Sequence, residues 1–137
     1  MRILIVCGLL FAAHLNLTAL VPAAADQAPP PWWVGGRLAW PFGLDTHTLL
    51  PAGGAVDALT PILGIASAVF FLLAAAALLH WLVPVAWLPG LVVAGAVCSL
   101  VLQIVWISPW AVLPLLVDGA LLWALLGLHV SAASLRA

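Results

Sequence analysis

Residues Trp110 to His129 read WAVLPLLVDGALLWALLGLH, and Asp118 is the one charged side chain among them. At a rise of about 1.5 Å per residue, a helix of this length crosses a hydrocarbon core of roughly 30 Å. An ionisable group near the middle of such a helix costs several kcal/mol, so other polar groups must accommodate it. The stretch therefore predicts a membrane helix whose Asp118 faces the interior of the protein.

The composition of the whole chain agrees with a membrane protein. Of its 137 residues, 67% are hydrophobic and 5% are charged, and the mean hydropathy is +1.33. A soluble domain carries about 25% charged residues, and a chain of this length has too small a core to hide so much apolar surface. The net charge of −1 excludes a basic surface for nucleic acid. We therefore expect the lipid bilayer to be the main surroundings of the protein.

Four apolar segments predict an all-α integral membrane four-helix bundle that forms a single domain. The predicted helices cover about residues 3–21, 61–83, 90–107 and 110–130. Thr60 and Pro61 are suited to the cap and the first position of the second helix. Pro114, one turn inside the fourth helix, is expected to kink it or to free a carbonyl.

The first two predicted helices are joined by a long Pro/Trp-rich loop, residues 22–59, which we place on the extracytoplasmic side. Aromatic side chains beside a membrane span usually lie at the level of the lipid headgroups. We therefore predict interfacial anchors at four positions of the loop, Trp32, Trp33, Trp40 and Phe42. The alternative is that the loop is a lid or a docking patch for a partner.

Residues 1–21 can be a retained helix or a signal peptide. Small residues at Ala23–Ala25 have the form of a cleavage site, which favours a signal peptide. The apolar run is longer than a usual signal sequence, however, and it contains His14, Asn16 and Thr18. Polar groups of this kind suit a helix that packs against others, so we predict that the segment is retained.

The few basic residues predict the orientation. Arg2 and Arg136 lie outside the two terminal helices, and basic residues favour the cytoplasmic side. Because the predicted number of spans is even, both termini should be cytoplasmic, with Arg37 on the other side.

Polar side chains of three predicted helices fall at a similar depth near the bilayer midplane. Counting about 1.5 Å per residue, we place His14, Asn16, Gln103 and Asp118 in one layer. On the third segment Ala96, Ser99 and Gln103 share a face at helical spacing. The layer can be interhelical hydrogen bonding that fixes packing, a path for a proton or solute, or a cofactor site.

The other candidate haem or metal ligands lie in no recognised binding motif. His80 and His129 fall at the cytoplasmic ends of their helices, where two imidazoles can in principle hold a haem, yet neither lies in a haem motif. His47 and Asp45 would supply two metal ligands, too few for a site. No motif for an enzyme active site is present. We predict no catalytic residue, metal or cofactor, although a haem or quinone stays open.

The chain resembles a group of small four-helix bacterial membrane proteins, broadly the DoxX-like proteins. The likeness rests on four spans in a short chain, His14 in the first span, the long first outer loop, and the Gln-x-x-Trp ending from Gln103 to Trp106. Thr18 stands where those proteins have a second histidine in the first helix. The resemblance implies a four-helix bundle in a bacterial inner membrane and no particular activity.

Two classes of function are compatible with the sequence. The first is a non-catalytic accessory or assembly subunit of a larger membrane complex, with another membrane protein as partner. The alternative is a proton-linked or small-solute transporter working through the layer around Asp118, which would favour a homo-oligomer because four helices enclose little space. A redox or quinone-linked membrane protein is a weaker alternative.

Overall fold

The computed structural model describes residues 2–21, 28, 31–42, 47–51 and 53–127. Within them are four main helices, α1 Arg2–Leu17, α2 Gly54–Leu78, α3 Leu88–Val105 and α4 Val112–Leu122. Three of them continue into short 3₁₀- or π-helical turns. Thr18–Leu20 follows α1, and Val85–Trp87 precedes α3. Pro109–Ala111 precedes α4, and Trp123–Gly127 follows it. Counted with these turns, all four are long and apolar enough to cross a membrane, which confirms that part of the prediction.

The four helices pack in a ring. Helix α2 packs against α1 and α3, and α4 closes the ring by contacting the other sides of α1 and α3. Apolar side chains such as Leu9, Phe71 and Val92 fill the centre, together with a run of buried alanines from Ala74 to Ala77. Glycines allow the closest approaches: a Cβ on Gly64 would lie 3.1 Å from the backbone oxygen of Asn16, and one on Gly95 would lie 3.0 Å from the Phe71 ring.

Helix α2 begins earlier and ends earlier than the sequence predicted. It starts at Gly54, so Thr60 lies inside the helix, where its Oγ1 donates to the Val56 oxygen at 2.8 Å. The expected capping role of Thr60 is therefore wrong. Asp57 in the first turn suits the positive end of the helix dipole, which supports the earlier start. At the other end the chain leaves the helix at Leu79 and reverses through left-handed backbone at His80 and Leu82.

Helix α4 is irregular at both ends, with a 3₁₀ turn at Pro109–Ala111 just before Pro114 and a π-helical turn after Leu122. Pro114 lies in the first turn of α4, where a backbone N–H has no partner inside the helix and its loss costs little. The last described turn, Trp123–Gly127, widens to a π-helix. The Trp123 ring lies against Gly127, where a Cβ would be 3.0 Å from the ring.

A small β-pair joins the long loop to the end of α3, which an all-α prediction did not include. His47 and Thr48 pair antiparallel with Ile107 and Trp106, and the Leu49 N–H donates to the Val105 oxygen at 3.1 Å. Helix α3 accordingly ends two residues before the predicted Ile107. The Trp106 ring also donates from Nε1 to the Thr60 hydroxyl at 2.7 Å, which ties this end of α3 to α2.

Candidate functional site

Four buried polar side chains lie on the inner faces of three helices. Asn16 comes from α1, Ser99 and Gln103 from α3, and Asp118 from α4, and their exposed fractions are 1%, 0%, 5% and 6%. Three of them were predicted members of the polar layer. We call these four residues the polar cluster. Ser99 was not predicted as a site residue, although its spacing of one turn from Gln103 was visible in the sequence.

Asp118 and Ser99 meet across the interface between α3 and α4. The Ser99 hydroxyl is the side-chain group that interacts with the Asp118 carboxyl. Their geometry falls short of a full hydrogen bond, and no other group of the described residues bonds to the hydroxyl or to either carboxyl oxygen. The charge-bearing group of the cluster is therefore enclosed by helices and has unused acceptor capacity.

Asn16 reaches a similar depth from the other side of the bundle. Ser67 on α2 donates to the Gly95 oxygen on α3 at 2.9 Å, and Gly64, one turn away on α2, lies against the Asn16 backbone oxygen. Because α2 and α3 are antiparallel, these two contacts place Asn16 about level with Ser99. The Asn16 amide nitrogen donates to the Ala12 oxygen at 2.9 Å, which leaves its Oδ1 as an acceptor.

The unmet hydrogen-bonding capacity is confined to the cluster. Among the described residues, the buried side-chain atoms without a partner are Asn16 Oδ1, Ser99 Oγ, both amide atoms of Gln103 and both oxygens of Asp118. Elsewhere the bundle satisfies its buried hydroxyls. Thr18 donates to the Leu15 oxygen at 2.6 Å, and Thr60 and Ser67 each donate to a backbone carbonyl. The cluster therefore differs from the rest of the interior.

His14 does not join the polar cluster, which corrects the prediction. Its side chain is exposed, as are Cys7 and Phe11 on the same face of α1. The ring stacks near Phe11 at 6.3 Å between centroids and meets the edge of Trp40 at 5.7 Å. The buried face of α1 carries Leu9, Ala12, Ala13 and Asn16 instead. His14 is thus held by the loop and not by the other helices.

The four predicted interfacial anchors separate into two pairs. Trp32 and Trp33 are exposed at 87% and 70%, so their rings are free to meet lipid. Phe42 is buried, and Trp40 is half-buried against His14. The prediction that Phe42 anchors the loop in the headgroups is therefore wrong, because its ring packs inside the protein.

The remaining candidate ligands of a metal or haem do not come together among the described residues. In the part of the chain that the structure describes, no three His, Cys, Asp or Glu side chains are grouped so as to hold a metal ion. His80 is exposed in the α2–α3 turn, while Asp45 and His129 lie outside the described residues. Cys7 and Cys98 are both free thiols.

Comparison of the chain with family models, with curated proteins and with solved structures gives no match. The resemblance to the DoxX-like proteins therefore stays a prediction. The function must therefore be inferred from the arrangement of the helices, from their exposed faces and from the polar cluster between them.

Proposed function

We propose that the chain is an integral protein of a bacterial inner membrane that crosses the bilayer four times, with both termini in the cytoplasm. The exposed tryptophans support the crossing of the bilayer. Trp32 and Trp33 project at one end of the bundle, and Trp81 and Trp87 project at the other. Trp87 and Trp106 bracket α3 and are separated by about 28 Å along the helix, close to the roughly 30 Å of a hydrocarbon core. Aromatic belts at two such levels are typical of membrane proteins.

Within that membrane we propose that the protein is a non-catalytic accessory or assembly subunit of a larger complex. The observation that carries this proposal is the outer face of α4. Only 28% of the α4 span is buried, against 44% for each of the other three. Its exposed face has a notch at Gly119 and Ala120, flanked by Leu116 and Trp123. A glycine on an exposed helix face, such as Gly119, lets a second transmembrane helix approach closely.

Purification in mild detergent, followed by identification of what is retained, tests the accessory role. Wild-type protein should carry a stoichiometric membrane partner. Gly119→Leu should lose that partner, because the new side chain fills the notch. Gly90→Leu is the matched control, since Gly90 is also exposed and a Cβ there would likewise meet nothing within 4 Å. Wild-type protein without a partner, or a partner that Gly119→Leu retains, would contradict the proposal.

A second candidate function is proton-linked or small-solute transport through the polar cluster, in a homo-oligomer. The burial of Asp118 on the inner face of a membrane-spanning helix favours it, because ionisable residues within such helices commonly mark a path for protons or solutes. Growth of a deletion strain carrying Asp118→Asn or Asp118→Leu separates this candidate from a structural role. If Asp118 carries protons, both variants fail at normal protein levels, because neither side chain titrates. If Asp118 is structural, Asp118→Asn keeps near wild-type growth.

A redox or quinone-linked role remains the weaker alternative. The same purified protein tests it, since a bound haem gives a visible absorption band and a quinone can be extracted and identified. A colourless, quinone-free preparation with a stoichiometric protein partner would leave the accessory role as the only one of the three that is supported.

A further inference from the structure

The turn between α2 and α3 has a backbone pattern that usually contains glycine, but bulky side chains occupy it. At the end of α2 the His80 N–H donates to the Ala77 oxygen at 3.2 Å, and the Trp81 N–H donates to the Ala76 oxygen at 2.9 Å. These two bonds form a Schellman motif, with His80 in its left-handed position at φ +56°. Glycine or asparagine is the usual residue there, because a Cβ disfavours this backbone conformation.

Leu82 holds a second left-handed position two residues later. Its φ is +63°, and the Val83 N–H donates across it to the Trp81 oxygen at 2.7 Å. A three-residue turn with a positive φ at its centre is rare and strained. No packing inside the bundle offsets the strain, since the Leu82 side chain is 83% exposed. A strained and exposed leucine indicates that its side chain contacts something outside the bundle.

The turn is apolar over its whole length. No charged residue occurs from Leu79 to Gly90, and Leu79, Trp81, Leu82 and Trp87 are all exposed. Cytoplasmic loops between membrane helices usually carry lysine or arginine. Contact of four large apolar side chains with water is unfavourable, so the surroundings of the turn must be apolar.

The position of the turn identifies lipid as these surroundings. Trp87 marks one of the two aromatic levels, which are about 28 Å apart along α3 and fit the two headgroup regions. Leu82 lies five residues before Trp87, in the connection between the end of α2 and the start of α3. The exposed leucine therefore continues the aromatic belt at this end of the bundle, where headgroups and acyl chains meet.

We propose that the α2–α3 turn is a lipid anchor, in which Leu82 inserts between the acyl chains while Trp81 and Trp87 stay at the headgroups. The inference rests on the proposed location of the chain in a membrane and not on the accessory role. The anchor would hold this end of α2 and α3 at a constant depth in the bilayer. Glycine at position 82 would suit the backbone better, but it has no side chain to insert.

Fluorescence of the full-length protein in liposomes of phosphatidylethanolamine and phosphatidylglycerol tests the proposal. The dye NBD is attached to Ala86→Cys in a chain lacking Cys7 and Cys98, which leaves the anchor side chains unchanged. Lipids brominated near the glycerol backbone should quench this dye. Dye at the headgroups is also partly reachable from water, so quenching by iodide, present on both sides of the membrane, is measured beside it.

The same dye on Ala55→Cys is the control at the other end of the α2–α3 hairpin. Ala55 lies five residues before Thr60, whose hydroxyl accepts from the Trp106 ring. The control position is therefore about 8 Å outside the second aromatic level, in water. Iodide should quench the dye there more strongly than at Ala86, and brominated lipid should not quench it.

Two replacements of Leu82 separate the insertion of the side chain from the shape of the turn. Leu82→Met keeps an apolar side chain and should keep the quenching by brominated lipid at Ala86→Cys. Leu82→Asn tolerates the left-handed backbone, so Tm should not fall, but its polar amide is not drawn into the acyl chains. It should lose most of the quenching by brominated lipid and gain quenching by iodide.

Three results would overturn the proposal. Iodide quenching at Ala86→Cys as strong as at Ala55→Cys, without quenching by brominated lipid, would place the turn in water. Protection from both quenchers would mean that a second copy of the chain covers the turn. Quenching by brominated lipid that Leu82→Asn retains would show that Leu82 is not the inserted side chain.

Flotation of the same liposomes after a carbonate wash separates this inference from the proposed membrane location. Protein that the wash removes from the liposomes would overturn both. Protein that stays with the liposomes while its turn lies in water would overturn the lipid anchor alone.

Discussion

At the scale of single residues, two buried serines have different partners. Ser67 donates to the Gly95 oxygen at 2.9 Å, whereas the Ser99 hydroxyl, equally buried, meets the Asp118 carboxyl without completing a full hydrogen bond. Ser67→Ala should lower the free energy of unfolding by about 0.5–1.5 kcal/mol, the usual net value of one hydrogen bond. Ser99→Ala should lower it by less, because the Ser99 hydroxyl forms no full hydrogen bond with the Asp118 carboxyl. Unfolding in detergent mixtures measures both.

The reverse order of these two variants would contradict the structure. A larger loss in Ser99→Ala would mean that its hydroxyl forms a full hydrogen bond inside the protein. The polar cluster would then be interhelical hydrogen bonding of the ordinary kind.

Part of the polar cluster could be predicted from the sequence. Asn16, Gln103 and Asp118 stand out because each is a polar residue inside an apolar window, and such residues turn towards the protein. His14 met the same criterion, but its side chain lies outside the polar cluster. Its contact with Trp40 depends on how a loop 26 residues away in sequence folds back, and helical periodicity carries no information about that. Ser99 was missed because most buried serines simply bond to a backbone carbonyl.

At the scale of helices, two glycines give a matched test of the packing. A Cβ at Gly64 would lie 3.1 Å from the Asn16 backbone oxygen, which cannot move without shifting α1. Gly64→Ala should therefore cost about 1–3 kcal/mol in unfolding free energy. At Gly8 the nearest atom is the flexible Leu121 Cδ2 at 3.4 Å, an ordinary contact. Gly8→Ala should be neutral or stabilise by up to about 1 kcal/mol, because alanine favours the helix.

Equal effects of the two alanines would show that α1 does not approach α2 through Gly64. The comparison is informative because both changes add the same methyl group to a glycine within a helix. Only the neighbouring atom differs, backbone in one case and the end of a side chain in the other.

The ends of the helices could be predicted from the sequence where they coincide with a change in hydropathy. Helices α1 and α3 lie close to their predicted ranges. The start of α2 was missed because residues 54–59, with Gly54 and Asp57, were assigned to the loop, although a helix can extend beyond its apolar part into polar surroundings. The pairing of His47–Thr48 with Trp106–Ile107 was missed because two-residue strands leave no periodicity in the sequence.

At the scale of the whole molecule, the packing of α1 predicts that the first segment is retained in the mature protein. Leu9, Leu15 and Asn16 are buried between neighbouring helices. Removal of residues 1–25 would expose the facing surfaces of α2 and α4. Intact mass and N-terminal sequencing of purified protein should therefore give a chain that includes α1. A mature chain that begins at Asp26 would show that the segment is a cleaved signal.

The exposed pair Trp32 and Trp33 should lie at the lipid headgroups. Lipids brominated near the glycerol backbone should quench a larger share of the tryptophan fluorescence in wild type than in Trp32→Ser/Trp33→Ser. Wild type and the double variant should lose equal shares with lipids brominated near the chain ends. No difference with either lipid would place these rings in water or on a partner protein.

The central claim is that the four helices cross a membrane with α2 and α3 connecting opposite faces. Single cysteines at Ala55 and Ala86, two exposed alanines at opposite ends of the α2–α3 hairpin, test it in a chain lacking Cys7 and Cys98. In intact cells, with the outer membrane made permeable, an inner-membrane-impermeant maleimide should label Ala55→Cys. It should label Ala86→Cys only after the inner membrane is also opened. Labelling of both positions, or of Ala86→Cys alone, in cells with a closed inner membrane would contradict the account.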